Sequence, residues 1–159
     1  MRVVAATATF TTDLITVDLE IELTNLLPQA AEGLRPVLAL ISASPEQDQR
    51  SAAFHAGPPP QSMGGTIDLA PGARVSVPAR LSLPREQLHV VALGGRPMFV
   101  AMLLCDLRWR SGLSVRRLGA DFLLGAAGQG VRPGPIWLDR PAPRTLAAIA
   151  YQPASAKQA

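Results

Sequence analysis

Arginine is the residue type here with the most concentrated chemistry. Arg108 and Arg110 stand two apart, and Arg116 and Arg117 follow across a Ser-Gly turn. In a β-hairpin the first pair shares one strand face and the second falls on the paired strand, with Arg80, Arg85 and Arg96 as further candidates. Four guanidinium groups on one hairpin suit phosphate contacts and salt-dependent binding. Aromatic residues make up only 4% of the chain, too few to supply the platforms on which bases stack. Trp109 also alternates away from its two arginine neighbours. Binding of nucleic acid or another polyanion is therefore the second reading, not the first.

The remaining reactive side chains are scattered. Asp18, Glu20 and Glu22 lie on one strand face, about 6.6 Å apart in succession. Paired carboxylates can do acid–base work or hold a cation, but no complementary acid accompanies them, and a solvated face is the simpler account. A metal site needs three or four ligands, and His55, His89 and Cys105 have no ligand-like spacing. No serine sits in a G-x-S-x-G elbow, and the Ser-Met-Gly-Gly segment near residue 62 reads as loop. "GAAGQG" (125–130) superficially resembles a phosphate loop, but "VRPGP" follows where a helix N-terminus is required. The expectation is a non-enzymatic chain with no catalytic, cofactor-binding or metal site.

The 159 residues fit one domain with a real core. Charged residues are 17% of the chain, below the roughly 25% usual for soluble domains, which favours a surface that something covers. Residues 1–73 carry eight acidic and three basic side chains, and residues 74–159 carry four acidic and twelve basic. Such asymmetry points to an electrostatic partner, the other half of the same protein included. The N-terminus lacks the apolar core of a signal peptide, and no uncharged run approaches the ~18 residues of a membrane span. A cytoplasmic location with no membrane span is expected.

Strand signals dominate the chain. In "LITVDLEIELT" (14–24), Ile15, Val17, Leu19, Ile21 and Leu23 alternate with Thr16, Asp18, Glu20, Glu22 and Thr24. Residues 35–44 are apolar on both faces, as in a central strand. Residues 44–66 read as a long proline-containing loop with a short edge strand at 51–55. "APG" (70–72) is a turn, and Pro78 puts the strand after it at a sheet edge or a bulge. Residues 88–93 form a short strand, and 97–110 with 114–124 form a hairpin.

A long strand ending in Asn ("VDLEIELTN", 17–25), followed later by "LAPG" (69–72) and an alternating strand, resembles immunoglobulin-like and fibronectin-type modules over roughly residues 12–124. The Cys–Trp–Cys signature of true immunoglobulin domains is absent. The resemblance implies an all-β, immunoglobulin-like antiparallel β-sandwich of about seven to nine strands, and no chemistry. The expected organisation is a sandwich over 1–130 and a proline-rich C-terminal extension over 131–159, packed on it in part and frayed at the end.

The stretch "RPMFVAMLLCDLRWR" (96–110) sharpens the functional question. Pro97, Phe99, Ala101, Leu103, Cys105, Leu107 and Trp109 form one uniformly apolar face. The other face begins with Met98, Val100, Met102 and Leu104 and ends with Asp106, Arg108 and Arg110. A straight strand of this length would span about 50 Å, so a bend near the middle is expected. Met98, Val100, Met102 and Leu104 need a cover: the chain's own tail, a second copy or another protein. With acidic (Asp18, Glu20, Glu22) and basic (Arg108, Arg110, Arg116, Arg117) faces in one chain, the expectation is a structural or protein-interaction module that forms a homo-oligomer or joins a larger assembly.

Overall fold

The strand with the cleanest alternation is β2 (Leu14–Thr24), and its five inward residues are all buried while their neighbours are not. It sits between β1 (Arg2–Phe10) and β5 (Arg74–Pro84) in a three-stranded antiparallel sheet. β5 has only one partner, so Pro78 interrupts no ladder on its free side, as its position at a sheet edge requires. The structure, a computed structural model, describes residues 1–58, 65–128 and 130–153. Most of the proline run with the Gln61–Met63 segment, residue Gln129, and the expected frayed end lie outside the described residues.

A second sheet has five antiparallel strands in the order β11–β9–β8–β3–β4. These are β3 (Ala31–Ser42), β4 (Ile67–Leu69), β8 (Ala101–Ser111), β9 (Ser114–Ala126) and β11 (Leu146–Tyr151). The inner faces of these two sheets meet in one core: Ile15, Val17, Ile21 and Leu83 from the first pack with Leu103, Cys105, Leu107 and Leu124 from the second. Cys105 is fully buried there; burial, helped by the charge of Asp121, pushes its thiol pKa well up. β6 (Val91–Leu93), β7 (Arg96–Phe99) and β10 (Ile136–Trp137) make a small third sheet.

The chain is therefore all-β, with antiparallel sheets and a single α-helix among the described residues. Among the described residues the count of eleven strands exceeds the expected seven to nine because β4, β6 and β10 are very short and the tail adds β11. The segment after residue 130 packs by backbone pairing: β10 pairs with β7, and β11 extends the large sheet along β9. The expected bend falls at Val100, between β7 and β8, where the chain passes from the small sheet to the large one. No helix among the described residues is long and apolar enough to cross a membrane.

One expectation fails outright. Residues 47–56 are neither loop nor edge strand; they form helix α1 (Gln47–Ala56). Pro45 stands just before the N-cap residue Glu46, and Gly57, in extended conformation, caps the other end with its N–H on the Ala53 carbonyl. The helix carries few large apolar residues, so it gives almost no periodic signal.

Candidate interaction surface

Helix α1 accounts for the change of character along the outer face of β8. Met102 and Leu104 are completely buried, and with Ile41 they form a second, smaller cluster against Phe54 of the helix, Leu123 of β9 and Tyr151 of β11. Of the covers expected for Met102 and Leu104, the chain's own tail supplies Tyr151, but the main cover is helix α1, which was not among them, so these two residues are not available as an interaction face. Met98 and Val100 are half-buried at the bend, beside the small sheet. The charged half of the same face meets the other end of the helix. Arg117 donates to the carbonyl of His55, and Arg108 donates to that of Gly57 at 3.4 Å. Carbonyls left unpaired at a helix C-terminus carry partial negative charge, which cations complement.

Polar pegs hold the helix down along its length. Tyr151 donates to Asp48 at 2.5 Å and accepts from Gln47 at 2.7 Å. Asp121 on β9 accepts from Ser51 at 2.5 Å and pairs with His55 Nε2 at 2.9 Å. These are a serine, a histidine and an aspartate, but in the wrong order for nucleophilic catalysis. The carboxylate stands between the other two, so Ser51 donates its proton to Asp121 and no imidazole is placed to remove it. Ser51 and His55 lie one turn apart on one helix face, which makes the trio a docking clamp. His55 Nδ1 is buried without a partner, and a Cβ on Gly119 would sit 2.9 Å from it.

Asp106 is the buried anchor for the arginines. Arg117 contacts it with two nitrogens at 2.8 Å and Arg108 at 3.2 Å. Burial alone would raise the Asp106 pKa, but the guanidinium groups of Arg117 and Arg108 outweigh it and hold it below the usual carboxylate range. Arg110 lies 3.7 Å from Glu32, and Arg116 is exposed with no ion-pair partner among the described residues. The acidic face is engaged separately. Arg80 grips Asp18 at 2.6 Å, Arg2 and Arg74 flank Glu22 at 2.8 and 3.5 Å, and Ser76 donates to Glu20. Arg96 pairs with Asp139 at 2.8 Å and stacks on Trp137, while Arg85 donates to the Thr11 carbonyl. His89 is exposed, and among the described residues no three metal-ligating side chains gather.

The sequence did not single out the end of the molecule where the β2–β3 loop meets the β8–β9 turn. Ser111 donates to Gln29 at 2.8 Å and ties the two together. Asn25, buried at the end of β2, shapes the loop by donating to the carbonyls of Gln29 and Leu69 at 2.8 and 2.9 Å and accepting from the Leu27 N–H. An apolar cleft of about 230 Å³ opens here between the two large sheets, lined by Leu23, Leu34, Leu107, Trp109 and Leu118 among others. Leu26 at 88% exposure, Leu27 at 42% and Leu118 at 44% border it, and Leu113 and Val115 stand exposed at the adjoining hairpin tip. Two signals were available: paired leucines in "NLLPQ" and a leucine in the two-residue Gly112–Leu113 turn, both where polar residues are usual.

No family model, curated protein or solved structure matches this chain.

Proposed function

We propose that the chain is a non-enzymatic, immunoglobulin-like β-sandwich module that works by protein interaction, docking through its apolar end onto a second copy or a neighbouring subunit. The observation that carries this reading is the exposure of Leu26, Leu27 and Leu118 around one apolar cleft, with Leu113 exposed in the adjoining hairpin turn. Contiguous apolar surface on a folded domain marks interaction sites. The sandwich assignment draws support from two antiparallel sheets sharing one core. The polyanion reading loses support, because Arg108 and Arg117 are committed to Asp106 and to the helix end.

The test is solution mass by light scattering after size exclusion, for the wild type and for Leu26→Asp/Leu113→Asp. A wild-type multimer that persists at high salt, with the double variant running at 16.8 kDa, is the expected result. A wild type monomeric at every concentration overturns docking between copies, and a multimer unchanged in the variant overturns the apolar end as its interface.

A further inference from the structure

We propose that the free edge of β11 is a pairing site for the same strand of a second copy, joining two five-stranded sheets across a two-fold axis at Ala150. No residue of β11 lines the apolar cleft, so this contact is separate from docking by that end and does not rest on it.

The backbone supplies the first observation. Among the described residues β11 pairs with β9 alone and stands at the edge of its sheet. The Ala127 N–H donates to the Thr145 carbonyl at 3.2 Å. Bonded pairs recur at every second residue of an antiparallel ladder, so Ala147, Ile149 and Tyr151 direct their backbone groups to β9. Those of Ala148 and Ala150, and of Gln152 just beyond, point the other way. Ala150 and Gln152 are exposed and Ala148 is half-buried. An open row of donors and acceptors is a template for another strand.

The second observation is that the other edges are blunted and this one is not. β5 carries Pro78, β1 has a register shift between Val3 and Ala5, and β4, β6 and β10 have three residues or fewer. β11 runs along β9 without a shift, and from Thr145 to Gln152 there is neither charge nor proline.

The third observation names the occupant. An antiparallel partner must set outward backbone groups against outward ones and keep each side chain on its own side of the sheet. The strand does both against itself. With the axis at Ala150, Ala150 faces Ala150 of the second copy, Ala148 faces Gln152, and Ile149 faces Tyr151. Ile149 and Tyr151 share the helix side of the sheet by alternation, and a β-branched residue opposite an aromatic one is a favourable cross-strand pair. No like charges meet. The five residues 148–152 fall far short of the roughly 20–30 a side of a stable interface. The dissociation constant is therefore on the order of 0.1 mM, above the concentrations of size exclusion.

The experiment is amide hydrogen exchange of the full chain by NMR, from about 30 μM to about 2 mM, for the wild type and for Leu26→Asp/Leu113→Asp. The Ala148 and Ala150 amides are expected to exchange about fivefold more slowly at the higher concentration in both proteins, as mass action requires. The Ile149 amide, already bonded to β9, stays protected throughout. Ala150→Lys and Ala150→Glu, at an exposed position, each put like charges face to face across the axis. Each alone is expected to free the Ala148 amide from concentration, and an equal mixture of the two to restore its slowing. A wild-type rate independent of concentration overturns the pairing. Slowing that persists in Ala150→Lys alone, or that fails to return on mixing, overturns the two-fold at Ala150. The Leu26→Asp/Leu113→Asp protein keeps the β11 edge, so failure of the apolar end is a separate outcome.

Discussion

Gly119 shows how one missing side chain positions an element. It pairs with Asp106 on β8 and leaves room above the sheet for the His55 ring. Because His55 is fixed by Asp121 on one side, an added methyl cannot be relieved by a small rotation without breaking that bond. Gly119→Ala is expected to destabilise the fold by about 1–3 kcal/mol, the range for overpacking, as measured by urea denaturation. Removing the obstructing ring should relieve it, so His55→Ala in the Gly119→Ala background should cost less than the two single changes summed. Additive losses would show that the ring and the glycine do not meet. Asp106 supplies the second argument at this scale. Its folded pKa lies below the value near about 3.9 of an unfolded chain. The stability it contributes is therefore fully present above that unfolded value and is lost as pH falls through the lower folded one. Asp106→Asn should lower stability at neutral pH by about 2 kcal/mol, the scale of hydrogen bonds to charged groups. It should also flatten the acid limb of the stability profile between pH 5 and 2. An unchanged acid limb would place the titrating carboxylate elsewhere.

Among the elements, β2 and helix α1 mark the two ends of legibility. β2 announced its buried face because a strand between an apolar core and solvent must alternate, and Leu14 aside its sequence does so. The turns at Gly72 and Gly112 were equally plain, since both adopt positive φ, where glycine is favoured. Helix α1 was hidden for a physical reason. It covers Met102 and Leu104 with one ring, Phe54, and holds on by Ser51, His55, Gln47 and Asp48. Polar attachment leaves no apolar stripe for periodicity to find. Only the Pro45 and Gly57 punctuation could have revealed it. Without the helix, Met102 and Leu104 had only the tail, a second copy or another protein as candidate covers.

At the scale of the whole molecule, the charge asymmetry between the two halves of the chain finds its partner inside the fold. β2 brings the acidic half, β5 the basic half, and their pairing sets Asp18 against Arg80 and Glu22 close to Arg74. Asp106 and Glu32 likewise neutralise arginines of the β8–β9 hairpin. With the acidic face matched by Arg2, Arg74 and Arg80, head-to-tail attraction between copies has little acidic surface left to act on. Exposed pairs of this kind contribute little, so neutralising the acidic face as Asp18→Asn/Glu20→Gln/Glu22→Gln should lower stability only slightly. The same change should leave the solution mass untouched at low and at high salt, in contrast to Leu26→Asp/Leu113→Asp. A mass that falls in the triple variant, or that falls with salt in the wild type, would return the interface to the charged faces. Apolar contact at one end and charge balance along the sheets are thus separable properties, and light scattering on these two variants separates them.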